Sequence, residues 1–361
     1  MRSAYVLVIT VLVAIAGAGI TPIQGQTASE TGNQPTASPS QSGCNYTALY
    51  NETIDSTVSV QRAGGQGSGF VYNVSENGTS YIVTNAHVVG NATSVTIRFS
   101  RGETRRGQVI GRARSVDLAV VRINQTPSYV EALPVANTLP PTGQYVAALG
   151  SPFGLEETMT HGIVSGVNRS LPTVGGFVIP TTVQTDAPIS PGNSGGPLVT
   201  CNGTVVGVNT AGIGARRAEN IGFAIPAPLI QRAVPQLIRT GEFNLAFFGV
   251  RTTELTPAIK TANNLTTSQG AYVVSVLEGG PASGVLQGAN RTVAVNGTRV
   301  PVGGDVIVAV ENRSVTSSQD LSEFLVRQAQ PGETVSLTVI RNGERRQVNV
   351  TLGERPEPGT R

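Results

Sequence analysis

The chain reads as mainly β, a barrel or sandwich of short strands followed by a smaller module that mixes strands with helical segments. Three observations carry that reading. Between residues 56 and 240, short alternating or apolar runs are separated by Gly, Asn and Pro, the pattern of strands joined by turns. The stretch 227–239 breaks the pattern with apolar residues near helical spacing. Beyond residue 245, strand-like runs alternate with helical ones. A length of 361 residues allows two such domains.

Taken in order, Met1-Arg2 leads into an uncharged apolar run from Ala4 to Ile20, with polar residues from near Gln24. Residues 1–25 therefore predict a secretory signal or a membrane anchor, the run standing near the lower limit of about 17 residues for spanning a bilayer. Residues 26–43 are mostly Ser, Thr, Pro, Gln and Gly, too poor in large apolar side chains to offset ordering entropy, and predict a disordered tether. Strands are expected around Val58–Val60, Phe70–Val74, Tyr81–Thr84, Val95–Phe99, Gln108–Gly111, Leu118–Ile123 and Tyr145–Leu149. Ala227–Arg239 predicts a short helix, kinked at Pro235 and stopped by Gly241. Residues 356–361 read as a disordered tail.

Two cysteines exclude both a disulfide-dense scaffold and a multi-ligand zinc cluster, so no metal or cofactor is expected. In an exported chain Cys44 and Cys201 are expected to pair, tying the end of the tether to the β domain. Sequons N-x-S/T stand at Asn45, Asn51, Asn73, Asn77, Asn91, Asn124, Asn168, Asn202, Asn264, Asn290, Asn296, Asn312 and Asn349. Their density favours a glycosylated, extracytoplasmic protein, secreted or at a cell surface. Net charge is +3 with scattered arginines and no basic stripe interleaved with aromatics, so nucleic-acid binding has no support.

The chemistry-bearing stretch is Pro191-Gly192-Asn193-Ser194-Gly195-Gly196-Pro197, a serine on a glycine-rich turn. A serine hydroxyl needs a base to become a nucleophile, and such a turn lets backbone N–H groups converge on a developing oxyanion. The chain has two histidines, His87 and His161, and both precede Ser194. An α/β-hydrolase order, with histidine after the serine, is excluded. The order His, Asp, Ser finds Asp117 and Asp186 in the interval, and Asp117 is the better choice because it opens the apolar run Leu118-Ala119-Val120-Val121.

These blocks together resemble the HtrA/Deg-type (DegP-like) trypsin-like serine proteases that carry a C-terminal PDZ domain. The histidine block is Gly67-Ser68-Gly69-Phe70 with Ile82-Val83-Thr84-Asn85-Ala86-His87-Val88-Val89, and Asp117-Leu118-Ala119-Val120 is the aspartate block. Ala148-Leu149-Gly150-Ser151-Pro152-Phe153-Gly154, Gly162-Ile163-Val164-Ser165, Gln184-Thr185-Asp186-Ala187 through Leu198, and Gly222-Phe223-Ala224-Ile225-Pro226 follow in the family's order. The resemblance implies a chymotrypsin-like double β-barrel over 44–242 and a PDZ domain over 243–355. It implies a His87, Asp117, Ser194 triad, with an oxyanion hole from Gly192 and Ser194 joined by Asn193. His161 reads as a surface residue or as a support behind the site residues, and Asp186 as part of the supporting frame.

In the second domain, Phe247-Phe248-Gly249-Val250 looks like the family's loop for a peptide's C-terminal carboxylate, with Gly279-Gly280-Pro281-Ala282, Gly304-Asp305-Val306-Ile307 and Pro331-Gly332-Glu333 behind it. Gln287 to Gly303 is longer than the family's usual passage. Arg169 matches the family's sensor-loop arginine, and the resemblance also implies homotrimers. Ile189 with Val208, Asn209, Thr210 and Ala211 suggests a small apolar substrate pocket, suited to Val, Ala or Ile in unfolded protein substrates. A peptide-binding chaperone without hydrolysis and an esterase with the same triad are the competing readings.

Overall fold

The computed structural model describes residues 43–151, 158–172, 178–190, 192–210, 221–295 and 297–356. Expectations for the leader and tether, for Pro152, Phe153, Gly154, Pro191, Ala211 and Asn296, and for 357–361 lie outside the described residues.

Helix α1 (Tyr46–Thr53) opens the described chain, its first turn closed by Asn45, whose side chain accepts from Ala48 N. The first barrel follows: β1 (Thr57–Arg62), β2 (Gly65–Val74), β3 (Ser80–Thr84), helix α2 (Ala86–Val89), β4 (Ser94–Arg98), β5 (Thr104–Ala113) and β6 (Leu118–Ile123). These close antiparallel in the order β1-β2-β3-β6-β5-β4. The second barrel consists of β7 (Tyr145–Gly150), β8 (Thr158–Pro172), β9 (Val178–Thr185), β10 (Pro197–Thr200), β11 (Val205–Thr210) and β12 (Gly222–Pro226), closed as β10-β11-β12-β9-β8-β7. Closure leaves neither barrel an unpaired sheet edge. Every strand expected in the first barrel is present: Leu118–Ile123 with the expected bounds, Val95–Phe99 shifted by one residue to Ser94–Arg98, and the others longer than expected.

Each barrel has its own filling: Val60, Ile82, Ile97 and Val121 in the first, Val146, Val164, Val183 and Leu198 in the second. A third cluster lies between them, where Phe70, Val83, Leu118 and Val120 meet Leu149, Val199 and Val208. Alternation explains the split, since neighbouring residues such as Val120 and Val121 face opposite sides of their strand. Helix α3 (Ala227–Thr240) packs on this central cluster through Leu229, Ile230, Ala233, Val234 and Leu237. It runs through Pro235 as one helix and stops at Gly241, whose φ of 81° lets its N–H reach Leu237 O at 3.0 Å.

The last domain begins with β13 (Ala246–Phe247) and β14 (Val250–Glu254), then α4 (Pro257–Ala262), β15 (Ala271–Val276), β16 (Arg291–Val295), β17 (Thr298–Val302), β18 (Val306–Val310), β19 (Arg313–Ser314), α5 (Ser318–Arg327), β20 (Thr334–Arg341), β21 (Glu344–Thr351) and β22 (Gly353–Glu354). Its main sheet runs β14-β15-β18-β20-β21, with β14 at one edge and β19 on β18, while β13 pairs β22. The unusually long passage from Gln287 to Gly303 is a hairpin of β16 and β17, seated on α4 through Val293, Val295 and Val300. Its base is held by the buried Asp305, which accepts from Gln287 N (2.9 Å) and from Arg341 at 2.8 and 2.7 Å.

Cys44 and Cys201 form a disulfide with Cα atoms 5.3 Å apart, fastening the start of α1 to the turn after β10. Tyr46 stacks on His161 with ring centroids 4.3 Å apart, which accounts for that exposed histidine as a surface partner. Asp186 accepts from Ile163 N at 2.6 Å and so belongs to the frame around the second barrel.

Candidate active site

His87 lies on α2, a single turn made possible by Gly90 at φ 55° directly behind it. Asp117 precedes β6 in the left-handed region, φ 56° and ψ 39°, which a short polar side chain tolerates better than most. The pairing of β3 with β6 brings the two together, Thr84 standing opposite Ala119. His87 Nδ1 is 2.8 Å from Asp117 Oδ2 and 3.0 Å from Oδ1, and the His87 backbone N–H donates to Oδ1 at 3.0 Å. Thr210 donates its hydroxyl to Oδ2 at 3.2 Å, and Asn85 Nδ2 donates to the Asp117 carbonyl at 3.0 Å. The carboxylate is thus oriented from three sides while the His87 side chain keeps 43% exposure against 8% for Asp117.

Electrostatics follow from this arrangement. Burial of the ring disfavours the imidazolium, but the hydrogen bond and negative charge of Asp117 outweigh it, with Arg62 opposing in part. The net effect holds His87 above the ordinary histidine value.

Ser194, 6% exposed, stands on the turn before β10. Strand β2 holds that turn: Ser68 N donates to Ser194 O at 2.8 Å, and Ser68 Oγ donates to Gly192 O at 2.5 Å while accepting from Ser151 N at 2.8 Å. Such contact needs glycine. A Cβ on Gly195 would lie 2.1 Å from Ser68 O, and one on Gly196 would lie 2.2 Å from Leu149 O. On the other side Asn209 clamps the turn, its carbonyl accepting from Gly195 N (2.9 Å), its N–H donating to Gly196 O (2.9 Å), and its Nδ2 donating to Leu149 O and Pro197 O (3.2 and 3.0 Å). Gly67, beside Ser68, has room for no side chain because Val88 Cγ2 and Ser194 O stand 2.6 and 2.9 Å from where its Cβ would be. The segment carrying His87 and the segment carrying Ser194 therefore meet across β2.

Several expected roles change on this geometry. The Asn193 N–H donates to Ser190 O at 3.0 Å and its buried side chain accepts from Thr158, so that N–H is committed to the turn and not turned toward an oxyanion. Val208 is core between the barrels, Asn209 is the clamp, and Thr210 is a partner of Asp117, so none of the three lines a pocket. The reason is alternation on a strand buried on both faces. Ile189 is half-buried against Gly222 and keeps an apolar surface. Thr210 and Ser68 escaped sequence reasoning in these roles, since a hydroxyl has no diagnostic spacing; the only signal was the place of Ser68 within the histidine block.

Arg169 is exposed on the bulged stretch of β8, opposite Thr182, whose hydroxyl donates to Arg169 O at 2.8 Å. In the second domain Phe248 is core at 2% exposure and Phe247 is half-buried. Gly249 turns the chain at φ 75° into edge strand β14, with the Phe248 and Gly249 carbonyls accepting from Ala282 N (3.0 Å) and Leu277 N (2.7 Å). Helix α5 runs beside that edge.

Two closed six-stranded barrels meeting at a histidine, an aspartate and a serine, followed by a small α+β domain with an open sheet edge, define the class of trypsin-like protease folds joined to a PDZ domain. Comparison with known proteins agrees. Residues 67–208 match the trypsin-like peptidase domain model and residues 246–352 the PDZ domain model. The chain is 35% identical over 293 residues to a probable periplasmic serine endoprotease DegP-like of Halomonas elongata, covering 81% of this chain and 57% of that protein. It is 34% identical over 290 residues to the periplasmic pH-dependent serine endoprotease DegQ of Escherichia coli, covering 80% and 59%. Among solved structures it resembles the HtrA-type protease AlgW with tripeptide, at 28% identity and a TM-score of 0.68 over 87% of this chain and 99% of that one. The chain belongs to the HtrA/Deg family of trypsin-like serine proteases with a PDZ domain. It spans somewhat over half the length of these curated relatives.

Proposed function

We propose that the chain is a serine endopeptidase that cleaves unfolded protein substrates outside the cytoplasm, in protein quality control. The observation that carries the reading is the His87–Asp117 pair, oriented from three sides and brought to the Ser194 turn across β2. In the mechanism Ser194 Oγ attacks the scissile carbonyl and His87 accepts its proton through Nε2. Asp117, bound to Nδ1, fixes that tautomer and stabilises the imidazolium, which then protonates the leaving amine. The Gly192 and Ser194 N–H groups stabilise the tetrahedral oxyanion, a donor of this kind being worth roughly 3–4 kcal/mol. Water repeats the sequence on the acyl-enzyme. A preference for a small apolar residue before the cut rests on Ile189 beside Gly222.

The PDZ domain binds C-terminal peptides at the Phe247–Val250 loop, the peptide extending the sheet at β14, and Arg169 takes part in regulating turnover; a homotrimer is the working assembly. Export is supported by the apolar leader, the Cys44–Cys201 disulfide and relatives named as periplasmic. The test is hydrolysis of unfolded casein and of a small ester by the chain and its Ser194→Ala variant. Loss of both activities by several orders of magnitude is expected. Casein cleavage surviving in Ser194→Ala refutes the proposal, and ester cleavage without casein cleavage in the unsubstituted chain would make it an esterase.

A further inference from the structure

Asparagines in sequons occupy a different part of this fold from the others. Twelve of the thirteen lie among the described residues, and eleven of those twelve are exposed. Of the seven described asparagines outside sequons, Asn85, Asn193 and Asn209 are buried, Asn244 and Asn263 are partly buried, and only Asn137 and Asn342 are exposed. Polar character alone would not sort them by what stands two residues later.

The side-chain amides divide in nearly the same way, buried Asn193 departing from it by accepting through Oδ1 from Thr158 (3.2 Å). Asn85 gives its Nδ2 to Asp117 O, Asn209 to Leu149 O and Pro197 O, and Asn263 to Ile259 O (2.8 Å) and Pro301 O (3.0 Å), so the nitrogen is committed to the fold. In the exposed sequons the hydrogen bonds fall on Oδ1: at Asn45 from Ala48 N (3.1 Å), at Asn77 from Thr79 N (3.0 Å), and at Asn91 from Arg114 (2.8 Å). Backbone and guanidinium N–H groups only donate, so the atoms they meet are oxygens. Asn124 and Asn202 likewise accept from threonine hydroxyls. N-linked sugar attaches at Nδ2 and leaves Oδ1 in place, so each of these bonds survives modification.

Asn168 is the exception. It is half-buried at φ 58°, and its Nδ2 donates to Glu323 Oε2 at 3.4 Å, from β8 to helix α5 of the PDZ domain. A sugar on that nitrogen would occupy the place of the helix.

We propose that the exposed sequons are N-glycosylation sites and that Asn168 is left unmodified. The inference rests on the export reading above. The co-reactant is a sugar carried on a lipid-linked phosphate, transferred by a membrane glycosyltransferase. The bond from Asn Nδ2 to the sugar C1 forms, the bond from C1 to the phosphate oxygen breaks with its electron pair leaving on the phosphate, and the amide loses one proton. The product is a neutral secondary amide whose oxygen still accepts from the turn.

The experiment is glycopeptide mapping and intact mass of the full chain from both cytoplasmic and exported fractions of its native cells. Sugar mass on most of the eleven exposed sequons, with the Asn168 peptide unmodified, is the expected result. Exported protein bearing no sugar at these sites overturns the glycosylation proposal and leaves export standing. Protein found unprocessed and sugar-free in the cytoplasm overturns both. Occupancy at Asn168 matching that of the exposed sites overturns the assignment of Asn168.

Discussion

Asp117 reaches His87 from a left-handed backbone position, and its two oxygens are divided between the ring, the His87 N–H and Thr210. Asp117→Asn preserves the shape but presents Nδ2 as a donor, which favours the wrong imidazole tautomer, and kcat is expected to fall roughly 10⁴-fold. The pH profile supplies an independent check. Because His87 is held above its ordinary value of 6.5 and must be neutral to act as base, the acid limb of kcat/KM lies above that pH and moves down in Asp117→Asn. The same raised value contributes stability that is fully present below pH 6.5 and is lost as pH rises through the folded value, so the variant also loses that pH dependence of unfolding. The His, Asp, Ser order was legible because two histidines leave so few assignments. Thr210 was not, being 93 positions from Asp117 with only a hydroxyl to mark it.

At the scale of elements, the Ser194 turn depends on how closely β2 approaches it. Gly195, at φ 89°, has no space for a methyl group beside Ser68 O and Thr84 Oγ1. Gly195→Ala therefore combines backbone strain of about 1–3 kcal/mol with displacement of the turn. Urea unfolding should show the loss of stability, accompanied by loss of casein turnover, and a variant of unchanged midpoint and rate would contradict the packing described. The sequence suggested these glycines for converging N–H groups; their closer duty is letting two backbones touch. Strands were legible from runs bounded by Gly, Pro and Asn. Helix α1 was not foreseen, since its buried face rests on Leu49 and Thr53 and on a disulfide 157 positions long. The β16–β17 hairpin appeared only as excess length, because its partner surface on α4 is remote from the turn that makes it.

For the whole molecule, the protease barrels and the PDZ domain share packing. Val326 of α5, Phe243 and Leu245 belong to the same apolar cluster as Leu149 and Leu237. Arg232 of α3 reaches across this junction and donates to the Leu325, Val326 and Ala329 carbonyls at the end of α5. The Leu325 and Val326 carbonyls are among the acceptors a helix leaves unsatisfied at its C-terminus, and a cation suits that end. Arg232→Ala is expected to cost about 1–3 kcal/mol at the junction. Hydrogen exchange should quicken in residues 322–330, while barrel amides such as those of β6 keep their protection; uniform protection in the variant would contradict the role of Arg232. Two domains were readable from the sequence, but their junction was not, because an arginine bonded to three carbonyls leaves no pattern along the chain.

The central claim, an activated Ser194, is tested most directly by covalent labelling with a fluorophosphonate followed by peptide mapping. The account predicts one adduct, on the Ser194 peptide, with labelling of His87→Ala slowed by orders of magnitude because the hydroxyl has lost its base. An adduct on another residue, or labelling of His87→Ala at an undiminished rate, would contradict it.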